Sequence, residues 1–304
     1  MLRTFVIFLA ALSCSSMAGQ KPPPLIFSAM GCGPYTGEDA TAIRYYISKE
    51  NKAKTSEFLI HLGDINSGAM ARQGRLTEAY YSSIKKLLTA GNKIPTYIVP
   101  GDNEWNDRPD PEVGWKHWTR HLGNLENNFD KKWKTARQEI RTENFAFSRN
   151  GVLVIGINLV GGRVHDRKEW ARRFRENNDW IQAQFAAHMK TVESAVVCCQ
   201  ANPIGQSKGK AAAKPGFAPF CIRFGEIGAA FGKPILFLHA DGHKWTVDKP
   251  WKNALNITRV QLDRVNAAFP PVQIIIDPKA KEPFSFERRL KKSGWKIPSP
   301  AKSR

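Results

Sequence analysis

The chain has 304 residues, 42% of them hydrophobic and 24% charged, which excludes an intrinsically disordered protein and suffices for one large α/β domain. No internal repeat is visible, which excludes solenoids, and no apolar run is long enough to span a bilayer, so the chain has no transmembrane segment. The net charge of +19 favours anionic partners: a phosphorylated small molecule, another anionic ester, nucleic acid or an acidic envelope surface. No DNA- or RNA-binding motif accompanies the charge, and a basic protein kept soluble by its charge is an equally good account of it.

In chain order, residues 1–19 read as a secretory signal: Arg3, an apolar centre from Phe5 to Leu12, and small residues from Ser16 to Gly19 for cleavage. A secreted or periplasmic protein is expected. Leu12-Ser13-Cys14 has the form of a lipoprotein cleavage site, but Ala11 fits it poorly. Residues 20–290 read as one domain and residues 291–304 as a basic tail. Leu25 to Met30 is an apolar strand ending in Gly31-Cys32-Gly33-Pro34-Tyr35. A helix follows over Glu38 to Lys52, and a second strand, Phe58 to Leu62, ends in Gly63-Asp64-Ile65-Asn66. After a helix from Leu76 to Leu88, a third strand, Ile94 to Val99, runs into Pro100-Gly101-Asp102-Asn103-Glu104-Trp105. The segment from Asp107 to Lys134 is polar and aromatic; its Trp115, Trp118 and Trp133 suit the packing of a loop-rich cap better than base stacking.

Asn150-Gly151 between apolar runs predicts a hairpin, and Arg167 to Lys190 a long helix. Ser194 to Cys199 is a strand ending in Gln200-Ala201-Asn202-Pro203. Ile204 to Pro219 reads as a loop without the ending of a phosphate-binding loop, and Ile222 to Phe231 as a helix. Ile235 to Leu238 is a short apolar strand ending in His239-Ala240-Asp241-Gly242-His243. Late strands fall at Ile257 to Leu262, Val272 to Ile276 and Phe284 to Phe286. In an oxidising compartment Cys221 could pair with Cys198 or Cys199, of which only one can face it. Early strands alternating with helices and late strands in a cluster predict an α/β fold, a four-layer α/β/β/α sandwich of two mixed sheets flanked by helices.

Four apolar strands thus end in polar clusters. Parallel strands deliver their C-terminal ends to one edge, so carboxylates, carboxamides and imidazoles converge there. Mixed oxygen and nitrogen ligands suit a divalent ion such as Mn²⁺, Fe or Zn²⁺. The series Gly63-Asp64, Gly101-Asp102-Asn103-Glu104 and His239-Ala240-Asp241-Gly242-His243 resembles the calcineurin-like metallophosphoesterase superfamily, in an exported branch, from about Leu25 to about Phe286. The resemblance implies divalent metal ions, two in number, and hydrolysis of a phosphate mono- or diester through a metal-activated water. It places Asp64 as the bridging carboxylate, with Asp102, Asp241 and His243 as metal ligands. Asn103 stands at the position of the histidine that polarises the phosphate, and His239 beside the metal as a ligand or as support for one. The first metal motif is degenerate: Cys32 stands where an Asp is expected, a possible thiolate ligand for softer ions, with Tyr35 as a further donor. Gln200 replaces a histidine, and amides are poor Zn²⁺ ligands. These departures keep a second reading open, a non-catalytic relative that binds a ligand or partner at the old site.

Overall fold

Alternation along the strands determines which side chains face which layer. A computed structural model describes residues 22–207 and 210–297; the signal expected over 1–19, Cys14 and residues 298–304 of the basic tail lie outside them. Strand β1 (Leu25–Met30) leads into helix α1 (Gly37–Ala53), followed by β2 (Leu59–His61), α2 (Gly68–Arg72), α3 (Glu78–Thr89) and β3 (Thr96–Ile98). Helix α4 (Pro111–His121) precedes β4 (Ala136–Arg137), β5 (Phe145–Arg149), β6 (Val152–Gly156), α5 (Arg167–His188) and β7 (Ser194–Cys198). The chain closes with β8 (Ile204–Ser207), β9 (Lys210–Ala213), α6 (Ala218–Phe231), β10 (Ile235–His239), β11 (Thr246–Asp248), β12 (Ile257–Gln261), β13 (Val272–Ile276) and β14 (Phe284–Glu287).

One five-stranded sheet has the order β14-β13-β1-β2-β3 and one seven-stranded sheet the order β11-β12-β10-β7-β6-β5-β4. β1, β2 and β3 are parallel, as are β6, β7, β10 and β12. The inner faces meet in one apolar layer, with Leu25, Phe27 and Ile60 from the first sheet against Val154, Val196, Leu236 and Leu238 from the second. Alternate residues point outward: Met30, Leu59 and Ile98 pack under α1, α3 and α4, while Ala195, Val197, Ile235 and Phe237 pack under α5 and α6. The result is the expected α/β/β/α sandwich.

Local differences have local causes. The polar, aromatic segment holds a true helix, α4, started by Pro111 at its first turn and anchored by Trp118, which is buried and stacks on Trp115 at 5.3 Å. The expected loop after β7 contains the β8–β9 hairpin. Helix α6 begins at Ala218, earlier than expected, because Pro219 is tolerated in a first turn. Cys32, Cys198, Cys199 and Cys221 are all buried free thiols; Cys198 faces the layer between the sheets, whereas Cys199 and Cys221 lie under the helices. Among the described residues, no helix is long and apolar enough to cross a membrane.

Candidate metal centre

The centre begins with how the strands end. Cys32, Asp64, Asp241 and His243 all have left-handed backbone, with φ of 55°, 59°, 66° and 54°. They follow β1, β2 and β10, and each left-handed residue turns the chain sharply at its strand end. Such conformations are uncommon for residues other than glycine and concentrate at functional sites. Gly63 and Gly101 let the ends of β2 and β3 meet backbone to backbone: a Cβ on Gly101 would lie 2.1 Å from the Asp64 nitrogen. Beyond Gly101 the chain takes a single π turn over Asp102–Asn106, in which the Asp107 N–H donates to the Asp102 carbonyl.

These turns bring together one ligand atom each from Cys32, Asp64 and His243, all within 4.8 Å of one another. Asp64 Oδ2 lies 3.6 Å from Cys32 Sγ and accepts from the Tyr35 hydroxyl at 3.4 Å, and that hydroxyl is 3.4 Å from His243 Nε2. The Asp241 backbone N–H donates to Cys32 Sγ at 3.1 Å. Cys32 and Asp64 are buried and His243 is exposed, so the group opens to solvent on one side. Arg264 stacks over the Tyr35 ring at 4.9 Å. Asp102 joins Asp64 through Gln200, whose Nε2 donates to Asp64 Oδ2 at 3.1 Å and to Asp102 Oδ1 at 3.3 Å. Asp241 Oδ2 accepts from the Asn202 N–H at 3.2 Å.

Other candidate residues serve the frame. Glu104 Oε1 accepts from the backbone N–H groups of Gly101 (2.5 Å) and Asp64 (3.2 Å), clamping the two strand ends together. The Asn103 N–H donates to Asp64 Oδ1 at 3.4 Å, but its side-chain amide donates to the Asn66 carbonyl at 2.9 Å. His239 does not join the group. Strand alternation puts it with Phe237, 5.7 Å away, on the helix side of the second sheet, where its Nδ1 bonds the Ala240 carbonyl at 3.0 Å. Gly161 was not apparent as a site residue from the sequence. It follows β6, another strand end delivered to this edge, and its N–H donates to Gln200 Oε1 at 2.8 Å. A Cβ there would sit 2.8 Å from an Asp102 oxygen and 3.0 Å from an Asp241 oxygen, so only glycine fits between the two carboxylates.

The electrostatics are those of acids without a counter-charge. Burial, reinforced by Glu104 and Asp241, pushes Asp64 up to about 7. Burial and Asp64 push Asp102 well above the usual carboxylate range. Burial and Asp64 likewise hold the Cys32 thiol protonated. Among the described residues, no arginine, lysine or histidine forms an ion pair with Asp64 or Asp102. A thiol, a carboxylate and an imidazole around one point are a donor set that fits Zn²⁺ or another borderline ion, with room for a further ligand on the exposed side. A divalent cation there would reverse the titration and release the ligands' protons.

Two solved structures share this architecture. A dimetal phosphatase from Danio rerio matches with a TM-score of 0.56 over 83% of this chain and 92% of its own, at 10% identity. The protein TT1561 of Thermus thermophilus matches at 0.50 over 87% of this chain and 99% of its own, at 11% identity. No family model matches the chain, and no curated protein matches it in sequence. At such identities the likeness speaks to fold alone: this chain has an α/β/β/α sandwich like that of the dimetal phosphatase.

Proposed function

We propose that the protein is an exported, metal-dependent phosphoesterase acting on a phosphate mono- or diester. The observation that carries this reading is the buried Cys32–Asp64–His243 group, open at His243 and without a cationic partner among the described residues. Cys32, Asp64 and His243 would hold the ion, with Asp102 and Asp241 beside them. When bound there, a divalent ion supplies Lewis acidity and lowers the pKa of a coordinated water toward neutrality. Tyr35 positions the ligands from the open side through its bonds to Asp64 and His243. Asn103 steadies Asp64 through its backbone N–H and ties the loop after β2 in place through its amide. Arg264, over the Tyr35 ring and paired with Asp39 at 3.2 Å, is a cation beside the group, and the net positive charge of the chain favours an anionic ester. His239 takes no part, because its ring lies on the far face of the sheet. Export rests on the reading of residues 1–19 and would be read directly from the N-terminal sequence of the protein isolated from its native cells.

The test is hydrolysis of a nitrophenyl phosphate monoester and diester by the mature protein supplied with Mn²⁺, Fe²⁺ or Zn²⁺, beside Asp64→Asn. Turnover that requires metal and falls at least about a hundredfold in Asp64→Asn is the expected result. Metal-independent turnover equal in both proteins would sink the proposal. The departure at Gln200 favours one second reading, a relative that binds an anionic ligand without turning it over. That reading expects a protein that binds phosphate esters but hydrolyses none with any of these metals.

A further inference from the structure

The two-ion arrangement implied by the resemblance does not fit Gln200. Its amide is fully buried, and its orientation is dictated from both ends. The Gly161 N–H donates to Oε1 at 2.8 Å, which fixes the oxygen end of the amide. The two hydrogens of Nε2 then point at Asp64 Oδ2 and Asp102 Oδ1. Turning the amide over would set its N–H groups against the Gly161 N–H and its oxygen against two carboxylates, breaking all three bonds at once. An N–H edge, which cannot ligate a cation, therefore stands against Asp64 and Asp102, where a second ion held by both carboxylates would need a ligand oxygen or nitrogen lone pair.

On the other side of Asp64 the donors are different. Cys32 Sγ lies beside Asp64 Oδ2, with His243 and Tyr35 around it. The Asp241 N–H aimed at Cys32 Sγ is the kind of outer contact that supports a metal thiolate. Thiolate with carboxylate and imidazole selects Zn²⁺ over the harder Mn²⁺ and Mg²⁺.

Resting on the metal-dependent reading above, we infer that the centre is mononuclear and Zn²⁺-selective. Cys32, Asp64 and His243 hold the single ion, and the Gln200 amide takes the place of the second. Binding replaces the Cys32 S–H bond with an S–metal bond and releases that proton to the buffer.

The experiment is calorimetric titration of the metal-free mature protein with Zn²⁺ and with Mn²⁺, together with Co²⁺ as a spectroscopic substitute. One equivalent of Zn²⁺ is expected, with a near-ultraviolet sulfur-to-cobalt band in the Co²⁺ form. Cys32→Ser should lose that band. Cys32→Asp, which keeps a ligand should the serine variant fail to fold, should lower the preference for Zn²⁺ over Mn²⁺ at least about tenfold. Gln200→His should raise the capacity to two equivalents. Two equivalents in the unaltered protein, or a Co²⁺ form without the sulfur band, overturns the inference and leaves the metal-dependent reading standing. Failure to take up any metal overturns that reading itself.

Discussion

Two buried carboxylate sites in the first sheet and its helices treat the same problem in opposite ways. Glu50, on α1, is fully buried beneath β1 and is met there by Arg289 at 2.5 Å, with Ser28 donating to the same oxygen. Arg289 is in turn satisfied by the Pro271 carbonyl at 2.9 Å and covered by Trp295, 3.7 Å away. Asp64 and Asp102, past the ends of β2 and β3, are nearly as buried, yet only an uncharged amide reaches between them. Where the protein supplies its own cation, the carboxylate is architecture. Where it supplies none, the carboxylates retain protons and await a cation from outside.

The sharpest way to break this comparison is to remove charge at each site. Arg289→Ala should cost about 3–5 kcal/mol in chemical denaturation, since it strands Glu50 as an uncompensated buried charge. Asp64→Asn, measured on metal-free protein at neutral pH, should cost less than about 1 kcal/mol or stabilise, because it replaces a buried acid that has no cationic partner with a neutral amide. Comparable large losses in both proteins would erase the distinction.

A buried base next to the centre sharpens the contrast. His61, fully buried at the end of β2, bonds the Gly33 carbonyl at 2.8 Å, directly behind Cys32. Burial lowers it from the ordinary 6.5 to about 4. Between those values the unfolded chain binds a proton at His61 that the folded protein refuses, so the His61 contribution to stability falls as pH drops through that window. The loss should be on the order of 3 kcal/mol. Asp64 and Glu104, both raised to about 7, contribute with the opposite sign over the same range. The His61 contribution is therefore read as the difference between the unaltered protein and His61→Gln in denaturation from pH 7 to 4. The advantage of the unaltered protein should shrink as pH falls, and a difference that does not change with pH refutes the assignment.

The smallest effect concerns the loop that carries Cys32 and Tyr35. It enters α1 through a capping box in which Thr36 accepts from the Asp39 N–H and Asp39 accepts from the backbone of Tyr35 and Thr36. Thr36→Ala should cost about 1 kcal/mol of stability. It should leave the buried Glu50 site untouched and weaken Zn²⁺ binding by no more than a few-fold. A larger loss of metal affinity than of stability would mean that the cap holds the ligands themselves.

Much of this is legible in the amino-acid order alone. Apolar runs broken by polar turns locate β1, β2, β3, β7 and β10, and the polar residues just past them include Asp64, Asp102, Asp241 and His243. Cys32 stands out as a departure from a pattern. What stays hidden depends on direction. His239 differs from Asp241 by two residues, yet one is the last residue of a regular strand facing the helices and the other follows the turn, with left-handed backbone. Glu104 and Asn103 carry site-like side chains that bond backbone instead. Gly161 has no chemical signature, since its contribution is a backbone N–H and the space left by a missing Cβ.

By itself the sequence determined the layers and the edge. Hydrophobic period sets which residues form strands and helices, and parallel strands in sequence order place their polar ends together. It did not determine that β13 returns to lie antiparallel beside β1, or that strand ends from two different sheets share one centre. Nor could it orient Gln200, whose amide reads as a substitute for histidine in one dimension. Only the Gly161 N–H on one side and two carboxylates on the other decide which of its atoms faces the site. Those contacts join residues tens of positions apart, and their energies exist only once the backbone has closed around them.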